Sequence, residues 1–285
     1  MPYQTASIAS ADGTTIRYRV SGSGPSVVLL HGAMQAAQNF TKLARALADS
    51  STDSFTVFVP NRRGRGGSGP FGPAYGLDAE CADLEALLRE TGARCVFGLS
   101  SGALIALHAG RRLSGIDKLA LYEPPLKTKA SDPTTWVSRY LRELDGGDLA
   151  AAMVTVVRGT GDASPLTHVP RWVLVPLVRL ALRLSARAKG DVSLRDLIPT
   201  LRFDAELARE SEGALAGVGT IRADVLLLGG ERSARALRVA LDELARRLPK
   251  ARRVEFAGIG HLAADDTGRP LDVAEALRRF FRDAP

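Results

Sequence analysis

Ser100 has a glycine two residues away on each side, in Gly98-Leu99-Ser100-Ser101-Gly102. The stretch ends an apolar run, Arg94 to Leu99, that reads as a strand, and it opens a helical run, Ala103 to Arg112. A sharp turn from strand to helix forces the central serine into a strained backbone, and glycines on either side let the chain pass closely. The helix N-terminus then lies beside the hydroxyl, where the backbone N–H of Ser101 can stabilise a developing oxyanion. The chemistry this fits is attack of a serine hydroxyl on an acyl carbon, which needs a general base to take the proton.

Histidine is the usual base, and the chain has four. His261, in Gly258-Ile259-Gly260-His261, follows the last expected strand on a loop whose glycines allow close approach to a hydroxyl. His108 falls inside the helix after the turn and His168 in a helical stretch; both read as structural, although His168 could line a pocket. His31 directly follows the strand Val27 to Leu30, and no helix or strand face directs it at Ser100, so it reads as a loop buttress.

These groups must be positioned by strands and helices that alternate along the chain. Ser26 to Leu30, Phe55 to Val59 and Arg94 to Leu99 read as strands, with helices over Gln38 to Ala48 and Asp78 to Thr91. The alternation resumes with strands Lys118 to Tyr122, Val225 to Leu228 and Arg253 to Phe256, and with helices Ala234 to Leu248 and Leu271 to Arg282. Such a pattern predicts an α/β fold, a mostly parallel, doubly wound sheet covered by helices on both faces. From Glu123 to Asp224 the pattern breaks into helical segments, as expected of an inserted cap. The expected division is a core of residues 1–125 and 223–285 with a helical cap over 126–222.

With the motifs in place, the sequence resembles the α/β-hydrolase fold family over nearly the whole chain outside the cap. His31-Gly32-Ala33-Met34 is similar to the family's oxyanion loop, in which the residue after glycine donates a backbone N–H; the match implies Ala33 as second donor beside Ser101. Such a donor is worth about 3 kcal/mol in an acyl-transfer transition state. Gly258-Ile259-Gly260-His261 resembles the family's terminal signature and implies His261 as general base, since the order along such chains is serine, acid, histidine. Asn61-Arg62-Arg63-Gly64-Arg65-Gly66-Gly67-Ser68-Gly69 resembles the loop after the next strand, with asparagine where aspartate is common, a departure expected to concern loop structure alone. Its glycines also spell G-x-G-x-x-G, but Pro70, Gly72, Pro73 and Gly76 follow where a dinucleotide site needs a helix N-terminus.

The acid departs from the family's commonest arrangement. The usual loop reads Gly229-Gly230-Glu231-Arg232-Ser233, with Ser233 where an aspartate would stand, and a hydroxyl cannot stabilise an imidazolium as a carboxylate does. Glu123, at the end of the strand before the cap, is the preferred acid, because ligands and catalytic groups gather at that edge of such sheets. Glu231 is the alternative. Asp224 precedes its strand, and Asp265 and Asp266 follow His261 too closely.

The expected activity is hydrolysis of an ester or thioester of a hydrophobic small molecule through an acyl-enzyme on Ser100. Acyl transfer or carbon–carbon bond hydrolysis would use the same groups, and a non-enzymatic ligand-binding protein with a capped pocket is the reading from another class. No metal or organic cofactor is implied. Trp172 to Leu184 is apolar apart from Arg179 and Arg183, which suits a cap helix packed on the main domain and a hydrophobic substrate; an amphipathic helix touching an acidic membrane is the sharper alternative. The formal net charge of +7 invites polyanions, yet the arginines are scattered and no nucleic-acid motif is present, so no nucleic-acid partner is expected. Cys81 and Cys95 are too few for a disulfide framework; together with the absence of a leader or membrane span they point to the cytoplasm, as a monomer or homodimer.

Overall fold

The computed structural model describes residues 3–49, 54–160, 169–184 and 191–282; His168 lies outside them. Eight strands form one sheet: β1 (Gln4–Ala9), β2 (Thr15–Ser21), β3 (Ser26–Leu30), β4 (Thr56–Pro60), β5 (Cys95–Leu99), β6 (Lys118–Tyr122), β7 (Asp224–Gly230) and β8 (Arg252–Phe256), in the order β1-β2-β4-β3-β5-β6-β7-β8. From β4 to β8 every pairing is parallel, and β1 and β2 join antiparallel at one edge. The sequence reading omitted this hairpin. Its signal is the period-two alternation of Ile16, Tyr18 and Val20 with Thr15, Arg17 and Arg19 along β2, where Ile16 and Tyr18 are buried and their neighbours are not.

The interior strands are apolar on both sides because helices cover both faces. Val27 and Leu29 of β3 face α1 (Thr41–Ala48) and α10 (Pro270–Arg282), while Val28 and Leu30 face α2 (Leu77–Thr91), α3 (Ser101–Arg112) and α9 (Arg235–Arg247). Between β6 and β7 lie α4 (Val137–Asp145), α5 (Leu149–Gly159), α6 (Arg171–Leu184), α7 (Leu194–Leu197) and α8 (Leu201–Glu210). Because β6 and β7 pair directly, the sheet passes unbroken beneath these helices.

Helix α6 differs from the expectation of a helix buried along its apolar run. It packs against α5, only Leu174 is buried, and Trp172, Leu177, Leu180 and Leu184 face outward. Arg179 is paired with Asp148 at 2.8 Å. Among the described residues no helix is long and apolar enough to cross a membrane.

Candidate active site

The carboxyl edge of the sheet collects the candidate residues. Leu99 and Tyr122 are paired across β5 and β6, and the next residue on each strand is Ser100 and Glu123. Both leave their strands with positive φ, 55° and 45°, a conformation that costs on the order of 1–3 kcal/mol for a residue other than glycine. At Ser100 the surroundings enforce the turn: a Cβ on Gly98 would lie 2.4 Å from the Gly102 carbonyl oxygen, and one on Gly102 would lie 2.3 Å from that of Leu30.

Glu123 is fully buried, and both its carboxylate oxygens are engaged. Oε2 lies 2.7 Å from Nδ1 of His261, and Oε1 accepts the backbone N–H of Gly230 at 2.7 Å. With Nδ1–H donated to the carboxylate, the lone pair of His261 resides on Nε2. The His261 loop is held by Tyr122, whose hydroxyl donates to Gly260 O at 2.8 Å, and by Arg232 N–H, which donates to Ile259 O at 2.8 Å. Ser100 and His261 line the same cavity.

The other carboxylates are occupied elsewhere. Glu231 is exposed and accepts from Gly258 N–H at 2.7 Å. Ser233 is buried, and its hydroxyl has no hydrogen-bond partner among the described residues. Asp265 accepts from Gln35 Nε2 at 2.8 Å and Asn39 Nδ2 at 2.9 Å, and Gln35 in turn accepts from Gly32 N–H at 2.7 Å. Asp265 thus braces the loop that carries Ala33. His108 bonds Asp78 on the surface. His31 is buried between Gly32 O and the Arg62 N–H; burial, with Arg65 and Arg62 nearby, drives its pKa well below the usual imidazole value, so it is neutral.

Ala33 and Ser101 face the cavity beside Ser100, and neither backbone N–H has an acceptor among the described residues. Two such donors next to a hydroxyl form an arrangement able to hold an oxyanion. The cavity measures about 340 Å³, near the small end of the range of roughly 300–1,000 Å³ for small-molecule sites. Apolar side chains from both parts of the chain line it, including Met34, Leu99, Trp136, Met153, Val156 and Leu237.

Residues 27–276 match the profile of the alpha/beta hydrolase family. The chain belongs to that family. An alpha/beta hydrolase from Sphaerobacter thermophilus superimposes with a TM-score of 0.76 at 31% identity, covering 97% of this chain and all of the other. An esterase from Thermogutta terrifontis, 21% identical, shares the fold with a TM-score of 0.69 over 98% of each chain. The uncharacterized hydrolase YraK of Bacillus subtilis is 35% identical over 99 residues, which make up 33% of this chain and 35% of that protein.

This alpha/beta hydrolase carries a buried ionic cluster that the sequence reading missed. Arg62 donates to Glu80 Oε1 through Nε at 3.0 Å and Nη2 at 2.9 Å, and through Nη1 to Asp204 Oδ1 at 2.8 Å. Arg65 Nη2 reaches Asp204 Oδ2 at 2.5 Å. All four residues are buried. Burial pushes the Asp204 carboxyl up, but the Arg65 and Arg62 guanidiniums outweigh it and hold the pKa below the usual carboxylate value. The loop from Asn61 to Gly69 therefore does more than shape itself, since Arg62 Nη1 also donates to the Ser101 hydroxyl at 3.0 Å. The one sequence signal was the arginines of the Asn61 to Gly69 loop; the carboxylate partners of Arg62 lie 18 and 142 residues further along, and that of Arg65 lies 139.

Proposed function

We propose that this alpha/beta hydrolase cleaves an ester or thioester of a hydrophobic small molecule through an acyl-enzyme on Ser100. In this reading His261 Nε2 takes the Ser100 proton as the hydroxyl attacks the acyl carbon, and the backbone N–H groups of Ala33 and Ser101 hold the oxyanion. His261 then returns the proton to the leaving group, and water, activated by the same imidazole, releases the acid. Glu123 keeps the proton on Nδ1 and stabilises the imidazolium. The segment 126–222 acts as the cap that closes the pocket.

The observation that carries the proposal is the fully buried Glu123 carboxylate, 2.7 Å from His261, whose imidazole shares a cavity with the strained Ser100. The strain has a function here, because it presents the hydroxyl to the cavity ahead of the helix. The apolar lining supports an uncharged hydrophobic acyl group: Asp204, the carboxylate on the cavity wall, has both its oxygens engaged by Arg62, Arg65 and Ser101. Hydrolysis of p-nitrophenyl esters of increasing acyl length, with mass spectrometry of the quenched enzyme, tests the proposal. A mass increase equal to the acyl group, mapped to Ser100 and absent in Ser100→Ala, is the expected result. Turnover that survives Ser100→Ala would overturn it.

A further inference from the structure

Asp204 belongs to α8, in the segment inserted between β6 and β7, yet it bonds the residue that follows Ser100. Its Oδ1 accepts the Ser101 hydroxyl proton at 2.8 Å, while the same hydroxyl accepts from Arg62 Nη1 at 3.0 Å. The hydroxyl of Ser101 is thereby fixed as donor to one fully buried charge and acceptor from another, and it has no freedom to turn. Arg62 is held in its own place by Glu80 and by the Tyr75 hydroxyl at 3.1 Å. Arg65 closes the cluster on the other Asp204 oxygen, so two guanidiniums face two carboxylates away from solvent.

Helical packing alone does not require this arrangement. A serine at the first position of α3 can leave its hydroxyl in the cavity, as Ser100 does, and an apolar residue there would need no buried charges. Instead, three charged side chains from the 62–80 region and one from the inserted helix converge on the first turn of α3. The backbone N–H of Ser101 belongs to the same residue, and the direction of that N–H is what a second oxyanion donor depends on, because a donor acts only where negative charge appears.

We propose that Asp204 is a positioning residue for the oxyanion site: with Arg62 it locks the Ser101 side chain and so aims the Ser101 N–H, which makes the reactive geometry depend on α8 being seated against the sheet. The proposal rests on the reading that Ser100 forms an acyl-enzyme with Ser101 as an oxyanion donor. The inserted helices then do more than wall the pocket; when α8 lifts away, Ser101 loses its acceptor and the oxyanion site slackens, so hydrolysis waits for the closed arrangement. Asp204 touches no reacting atom and acts only through Ser101.

The test compares wild type, Ser101→Ala, Asp204→Asn and the double variant, measuring kcat and KM for p-nitrophenyl butyrate, and labelling by a fluorophosphonate probe read by mass spectrometry. Ser101→Ala keeps the backbone N–H and the whole ionic cluster and removes only the link. It is expected to lower kcat at least about tenfold, short of the roughly 10²–10³ seen when an oxyanion donor is removed outright, with KM changed less than about threefold. Asp204→Asn, which replaces the buried charge holding the Ser101 hydroxyl by a neutral amide, is expected to lower kcat similarly, and the double variant to fall no further than the worse single variant, because both act through one link. Unchanged kcat in Ser101→Ala overturns the proposal, as does a double variant whose loss is the product of the single losses. If Asp204→Asn does not fold, Ser101→Ala decides alone. Failure of the underlying reading shows separately, as wild-type enzyme that neither turns over nor takes the probe at Ser100, and the proposal falls with it.

Discussion

Ser100 and Glu123 leave adjacent parallel strands at the same register, each one residue past the paired Leu99 and Tyr122, and each in a positive-φ conformation. Ser100 N–H donates to Tyr122 O at 2.9 Å, so the turn that exposes the hydroxyl is tied to the residue that precedes the carboxylate. Moving β6 relative to β5 by one residue would turn Glu123 to the other face of the sheet and separate it from His261.

The pairing of Glu123 with His261 predicts unequal effects from the two nearby glutamates. Glu123→Gln is expected to reduce kcat by about 10³–10⁴, the loss seen when the group holding a catalytic imidazole becomes an amide. Glu231→Gln, whose carboxylate bonds Gly258 on the surface, is expected to change kcat less than about threefold. Steady-state kinetics on one p-nitrophenyl ester decides, and equal losses in the two variants would refute the assignment of the acid.

Steric closure at the elbow predicts that even the smallest side chain fails there. Gly102→Ala places a Cβ 2.3 Å from the Leu30 carbonyl oxygen, a backbone contact that cannot rotate away. A loss of roughly 1–3 kcal/mol in urea unfolding is expected, together with loss of the proposed ester hydrolysis. Gly115→Ala, where the added Cβ meets nothing within 4 Å, serves as the tolerated control.

Breaking the ionic cluster from one side is expected to cost far more than a surface pair. Arg62→Ala leaves Glu80 and Asp204 buried with one guanidinium between them, a change worth about 3–5 kcal/mol by analogy with other buried pairs. Arg279→Ala, which removes an exposed ion pair with Glu275 on α10, is expected to cost less than about 1 kcal/mol. Denaturant midpoints of the two variants measure the contrast.

The two cysteines make a prediction about alkali. Burial pushes the Cys81 and Cys95 thiols up to about 11, from a reference value of 9.0. The folded state therefore holds these protons more tightly than the unfolded chain does. That contribution to stability is complete below about pH 9 and is lost as pH rises through 11. The Cys81→Ala/Cys95→Ala variant is expected to show a shallower fall in thermal midpoint between pH 9 and 11, and the buried Cys81 thiol to react with a disulfide reagent at pH 8 only after unfolding. Identical pH slopes for the two proteins would contradict the assignment.

Pocket size sets a last expectation. Met153 lines the cavity, so Met153→Trp is expected to move the preference toward shorter acyl chains, each excluded methylene weighing about 1–3 kcal/mol in kcat/KM. The ratio of octanoate to butyrate hydrolysis reads this directly.

What the sequence determined by itself is the local backbone that carries the candidate groups, in short stretches. The turn at Gly98 to Gly102, the loop at His31 to Met34 and the loop ending at His261 are legible because glycine spacing and flanking apolar runs dictate them locally. The succession of strands β3 to β8 along the chain is equally local in origin, since each strand is a short apolar run bounded by turns or helices, whereas their order in the sheet, with β4 outside β3, is tertiary. The choice between Glu123 and Glu231 was not decided that way. Both are single carboxylates at strand ends, and only the pairing of β6 with β7, with Gly230 N–H meeting one Glu123 oxygen, shows which faces His261. The link from Asp204 to Ser101 was wholly beyond the sequence, because a hydroxyl and a carboxylate 103 residues apart become partners only when the inserted helix folds back over the sheet and removes water from both.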